Sequence, residues 1–313
     1  MPDASPETVE QLPTPSELSE VKGWFFPVDQ VLFDWFLTRQ TDRDEPGDLL
    51  EVGAYMGKSA IFTGSYRREG ETFTVCDLFD SPGEDDANAA EMQRSYSTLT
   101  QRTFEANYLS FHDELPVVLQ GLSSMVPDHV KAGSCRFVHV DASHLYEHVH
   151  GDIQDARELL LPHGIVALDD FRAEHCPGVA AATWEAVTSG GLHAICITGT
   201  KFYGTWGDPT AVREELLAFL AGREDIWHEV QSVAGAPLIR TSGKKAVAPA
   251  QPRSRHTKKT PAVPAQPSAA APVRPAAQAP KAAPAPRRRS PLRRLAVNVL
   301  PPFITKAARR LMK

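Results

Sequence analysis

The sequence predicts an α/β fold: a doubly wound sheet of seven strands, mostly parallel and closing in a C-terminal antiparallel hairpin. Three observations carry this expectation. Short apolar runs alternate with longer helix-length stretches from Asp48 to Ser189, the pattern of repeated βα units. The runs 192–198 and 201–206 are then separated only by Gly199–Thr200, a link too short for a crossover, so they pair antiparallel. Finally, the first run ends in a glycine-rich turn that leads into a helix start, the place where such sheets bind ligands.

Trp24–Phe26 and Val31–Leu37 repeat at helical spacing and predict a helix packed on the sheet ahead of the first strand. Strands are expected at 48–53, 72–77, 116–120, 135–141 and 164–169, and helices at 57–68, 87–108, 123–132, 145–161 and 176–189. Residues 211–223 read as another helix and 226–240 as a small edge hairpin.

The chain has 313 residues and a formal charge of −6, which conceals two different polymers. Residues 243–313 hold 17 of the 33 Lys and Arg, 13 of the 26 prolines and no acid. All 39 acidic side chains precede them, against 16 basic ones. The expected division is a polar, flexible segment 1–20, a folded domain 21–242, a disordered Ala/Pro/Lys/Arg linker 243–288 and a basic amphipathic segment 289–313. Cys76, Cys135, Cys176 and Cys196 are scattered without a C-x-x-C pair, which suits buried thiols in a reducing compartment. With no secretory h-region and no apolar stretch of about 18 residues, the expected location is the cytoplasm.

The turn reads Glu51–Val52–Gly53–Ala54–Tyr55–Met56–Gly57–Lys58–Ser59. Its G-x-x-x-G spacing lacks the G-x-G-x-x-G of a pyrophosphate loop. Gly53 and Gly57 permit close backbone approach. Asp77 ends the second strand, 26 residues after Glu51, where a ribose-binding carboxylate is expected. The alternative is an ordinary tight turn with Asp77 as a helix cap.

The turn resembles motif I of the class I S-adenosylmethionine-dependent methyltransferases, and the strand pattern resembles their Rossmann-like seven-stranded sheet. The resemblance implies S-adenosyl-L-methionine as cofactor, held by Glu51, Gly53, Ala54, Tyr55, Gly57, Lys58, Ser59, Asp77, Leu122, Ser123 and Asp141.

Strand four ends in Asp141–Ala142–Ser143–His144 and strand five in Asp169–Asp170. Adjacent parallel strand ends open onto one cleft, and carboxylates gathered there favour a hard cation such as Mg²⁺ over zinc. The run Val140–Phe171 is similar to the metal-dependent macrolide-sugar O-methyltransferases, over roughly residues 45–206. That resemblance implies Asp141, Asp169 and Asp170 as metal ligands and His144 as the base that deprotonates a sugar hydroxyl. The alternatives are that Asp141 contacts only the cofactor, that Asp169 or Asp170 caps the next segment and that His144 is a hydrogen-bonding residue at a helix start. His139 is expected within a strand, His148 and His150 on a solvated helix face, and Asp152 on that helix's exterior. The acidic stretch 80–108 is read either as a lid or as a solvated loop.

Residues 289–313 interleave Arg and Lys with Leu295, Val297, Phe303, Ile304 and Leu311. This composition fits an anionic membrane surface, which would place the protein at the inner face of the membrane, better than it fits nucleic acid or a solvated tail with no partner. The functional expectation is an O-methyltransferase acting on a small-molecule sugar hydroxyl with divalent-metal assistance. The alternatives are a nicotinamide-dependent oxidoreductase and an inactive, membrane-tethered binding module; the oligomeric state is not legible.

Overall fold

A computed structural model describes residues 12–81 and 99–257. The described residues lie in one compact unit. The polybasic segment 289–313, most of the expected linker and the centre of the acidic stretch 80–108 fall outside the described residues.

Among the described residues, one sheet of nine strands organises the unit, in the order β3-β2-β1-β4-β5-β7-β6-β9-β8. The parallel part comprises β1 (Asp48–Val52), β2 (Phe73–Asp77), β3 (Val117–Gln120), β4 (Cys135–Val140) and β5 (Leu160–Leu168). β7 (Phe202–Thr205) runs antiparallel to both β5 and β6 (His193–Ile197). The Thr198 N–H donates to the Lys201 carbonyl at 2.9 Å, so β6 and β7 are joined by the two-residue turn that Gly199–Thr200 required.

The expected count of seven strands needs correction. The edge hairpin foreseen at 226–240 is full length, β8 (Trp227–Val233) and β9 (Ala236–Ser242), and β9 pairs parallel with β6. Ala234 and Gly235 both have positive φ, at 51° and 78°, the conformation of a tight two-residue hairpin turn. The hairpin therefore extends the sheet to nine strands.

Helices cover both faces. On one, α1 (Pro27–Asp42) presses Phe33 and Phe36 onto Phe137 and Tyr203; all four are fully buried. Each such aromatic contributes roughly 2–3 kcal/mol by leaving water. α2 (Lys58–Gly64), α3 (Gln101–Leu109) and α7 (Thr210–Ala221) complete that face. On the other, α5 (Tyr146–Leu159) and α6 (Pro177–Thr188) pack over Val138, Val166 and Leu168. The helix expected at 123–132 is reduced to a 3-10 turn and the four-residue α4 (Val126–His129), where Pro127 removes a backbone donor.

Packing continues beyond Ser242. Ser254 is buried and its hydroxyl donates to the Pro15 carbonyl, while Arg255 N–H bonds the Ser110 carbonyl. Leu18 and Val21 are buried as well. Both flanks that composition alone marked as unstructured thus contribute contacts within residues 12–20 and 243–257.

The strand order reverses between β1 and β4, each pairing with a different neighbour on its far side. The crevice beyond their carboxyl ends is where a fold of this kind receives its ligand.

Candidate active site

A cavity of about 770 Å³ opens over the carboxyl ends of β1, β2, β4 and β5. Gly53 sits at its floor with φ 82°, and a Cβ there would lie 2.1 Å from the Asp141 carbonyl oxygen. Only glycine lets β1 and β4 approach so closely. Tyr55 follows, also left-handed at φ 49°. The Asp77 carboxylate holds this turn in place: Oδ2 accepts from the N–H groups of Ala54 and Tyr55 at 2.7 and 2.9 Å, and Oδ1 from Phe79 N–H at 2.7 Å. Burial nevertheless raises the Asp77 carboxyl above its ordinary pKa.

Gly53, Ala54, Tyr55, Lys58, Ser59, Asp77, Leu122, Ser123 and Asp141 all line the cavity. Glu51 and Gly57 do not. Gly57 caps α2 in a left-handed conformation, and a Cβ would meet the Phe104 ring at 3.0 Å. Glu51 lies beneath the turn, fully buried. It accepts a short hydrogen bond from Ser59 Oγ, and its other oxygen has no partner among the described residues. Burial pushes its pKa up to about 8.

Asp141, Asp169, Asp170 and His144 line the same cavity. Asp170 occupies a left-handed backbone conformation, φ 53°, a strained position for an aspartate. Its Oδ2 is 3.3 Å from His144 Nε2, and this contact holds the Asp170 carboxyl below its ordinary range. Asp141 is displaced well upward, first by burial and then by the charge of Asp169. Three carboxylates facing one cavity suit a hard divalent ion chemically. Of these carboxylates, however, only Asp141 and Asp169 have donor atoms gathered within 4.8 Å of one another, together with His139; Asp170 is not in that group.

Asp169 carries a partner that sequence reading missed. Lys201, 1% exposed, donates a short hydrogen bond to Asp169 Oδ2 and lies 2.9 Å from His139 Nε2. Its ammonium also sits 5.9 and 6.0 Å from the ring centres of Phe25 and Phe33. Burial alone would lower the Lys201 pKa, but Asp169, Asp141 and Asp29 more than offset it, so the ammonium stays charged. Burial and the Lys201 charge keep His139 neutral, well below its usual range. Its Nε2 therefore accepts from Lys201, leaving the proton on Nδ1, 3.4 Å from Glu51. The one available signal was a lone cation opening an otherwise apolar hairpin strand. Lys201 thus offsets Asp169 from within, which leaves Asp141 and Asp170 as the carboxylates on the cavity wall without a lysine partner.

Two further residues stand differently from the sequence expectation. Asp152 is 5% exposed and lines the cavity, where burial raises its pKa to about 6; it is not on a helix exterior. His148 also faces the cavity, its Nδ1 2.9 Å from Ser143 Oγ. His150 packs against the Tyr146 ring, with centroids 5.7 Å apart. The placing of Asp152 and His148 is a consequence of the rotation of α5, which a residue count along the helix does not fix.

Residues 50–171 match the family model described as a methyltransferase domain. Among solved structures, the chain is similar to the O-methyltransferase NovP, at 18% identity and TM-score 0.47 over 57% of this chain and 79% of that one. It is similar to the calicheamicin methyltransferase CalS11 at 20% identity and TM-score 0.41, covering 58% and 79% of the two chains. A Podospora anserina methyltransferase, PaMTH1, solved with S-adenosylhomocysteine, shares 14% identity at TM-score 0.41, over 61% of this chain and 86% of that one. No curated protein matches the sequence. The domain match takes in the reversal of strand order and the turn at Gly53, so residues 50–171 carry a methyltransferase domain.

Proposed function

We propose that the protein methylates a hydroxyl group of a small molecule, a sugar of a glycoside or glycolipid, with a divalent ion assisting deprotonation. The observation that carries this reading is that His144, Asp141, Asp169 and Asp170 share one cavity with the Gly53–Tyr55 turn. Bound S-adenosylmethionine supplies an electrophilic methyl group, and bound Mg²⁺ supplies positive charge that lowers the pKa of a coordinated hydroxyl. The metal residues in this reading are Asp141, Asp169 and Asp170.

In this reading the chain's own residues align and deprotonate. Asp77 fixes the turn that would seat the cofactor, and a turn held rigid in this way would align the methyl donor for transfer. His144, half-buried and oriented by Asp170, takes the hydroxyl proton as the oxygen–carbon bond forms and the carbon–sulfur bond breaks. Its position on the cavity wall lets that proton return to solvent.

Transfer of a labelled methyl group to a panel of glycosides tests the proposal. Activity is expected to vanish after EDTA treatment and to return with Mg²⁺, and His144→Ala should lower kcat by about 10²–10⁴-fold. Undiminished transfer after complete metal removal would end the metal-assisted reading, and failure on every glycoside would end the sugar reading. No helix among the described residues is long and apolar enough to cross a membrane. We further propose that residues 289–313 contact anionic lipid; equal liposome binding by the full chain and a chain truncated after Thr257 would refute this.

A further inference from the structure

A second group of metal-binding side chains stands beside the carboxylates and differs from them in chemistry. The donor atoms of His144, His175 and Cys176 all lie within 4.8 Å of one another. His144 and His175 both face the cavity, with ring centroids 5.9 Å apart and planes at 88°. Cys176 is fully buried behind them, and none of the four cysteines is in a disulfide. The two segments that carry these donors are locked together: a Cβ on Gly178 would lie 2.7 Å from both the His144 carbonyl and the Tyr146 nitrogen. The trio is therefore held by backbone packing, not by exposed side chains alone.

We propose that His144, His175 and Cys176 form a binding site for a borderline-soft divalent ion, Zn²⁺ by preference, distinct from the carboxylate site. Two imidazoles and a thiolate select zinc over magnesium, whose demand is for oxygen. Binding converts the Cys176 thiol to a thiolate, with its proton passing to solvent, and three protein ligands leave one tetrahedral position open. A zinc ion held there draws His144 away from any acid–base work, so the site opposes Mg²⁺-supported catalysis. The inhibitory consequence rests on the function proposed for His144; the binding does not.

Cobalt(II) replaces zinc as a spectroscopic probe in the full-length protein, freed of metal by chelation. One equivalent is expected to give tetrahedral d–d bands and a thiolate-to-cobalt charge-transfer band. Cys176→Ala should abolish the charge-transfer band, and His175→Ala, at an exposed position that folding tolerates, should weaken cobalt binding at least tenfold. Asp169→Asn should leave the charge-transfer band in place. Circular dichroism of each variant separates loss of the site from loss of the fold. Cobalt binding without the thiolate band, or with the same affinity in His175→Ala, would overturn the proposal. If methyl transfer is measurable, micromolar Zn²⁺ should inhibit the parent more strongly than His175→Ala, and equal inhibition would refute the inhibitory role. If no transfer is found, the cobalt spectra alone decide the site.

Discussion

Lys201→Met is the sharpest perturbation the structure offers. Methionine nearly preserves the length of the side chain and its contact with Phe25 and Phe33, but removes the charge that faces Asp169, itself only 9% exposed. Removing one partner of a buried pair costs about 3–5 kcal/mol, because the remaining charge is left without compensation. With a urea m value of about 3 kcal/mol/M, the unfolding midpoint should fall by about 1–1.7 M at pH 7.5. The pH dependence carries more information. In the parent, burial would raise the Asp169 pKa, but Lys201 outweighs it and holds the carboxyl low. That stability is present above the unfolded pKa of about 3.9 and is lost only as pH falls through the folded value. In the variant burial acts unopposed, so the Asp169 pKa rises and the penalty grows with pH. The difference between parent and variant should therefore shrink as pH falls from 8 toward 5 in metal-free buffer. Adding Asp169→Asn to Lys201→Met should recover about 2 kcal/mol or more, since both ends of the pair are then uncharged. A midpoint unchanged in Lys201→Met, or a penalty independent of pH, would refute the role of Lys201 as the internal counter-ion.

Two further outcomes follow from other parts of the molecule. Gly53→Ala forces a Cβ to within 2.1 Å of the Asp141 carbonyl at a left-handed φ, so calorimetry should show S-adenosylhomocysteine affinity falling at least tenfold. Gly199→Ala, with open space around it, should bind as the parent does. Glu71 accepts two hydrogen bonds from the buried Arg136, at 2.9 and 3.0 Å, and another from Arg68. Burial would raise its pKa, but these arginines outweigh it and hold the carboxyl at about 2. Its contribution, on the order of 3 kcal/mol from the displacement, is present above pH about 4.5 and should be lost as pH falls toward 2. Urea titrations of Glu71→Gln should show a deficit at pH 7 that narrows below pH 4.

The alternation of apolar runs and the Gly199–Thr200 link were sufficient to predict the parallel strands, the antiparallel closure and the fold class. This is because period and loop length are local properties of the chain. The turn at Gly53 was legible for a related reason: glycine spacing after a strand reports backbone conformation directly. The positions of the acids at strand ends were equally readable, since a parallel sheet brings its strand ends to one edge. What those acids touch was not. Lys201 is 32 residues from Asp169 in sequence. Its pairing depends on β7 lying beside β5, and on the burial that makes an unpaired charge there so costly. Likewise, the rotation of α5 decided that Asp152 and His148 face the cavity, and the strand pairing decided that Glu51 lies beneath the turn and not on it. The sequence by itself determined the parallel strands with their antiparallel closure, the glycine turn after the first strand and the list of ionisable groups at the sheet's edge. Only the tertiary structure decided which of those groups are neutralised from within and which remain facing the cavity, because charge compensation acts through space and depends on burial that no local pattern records.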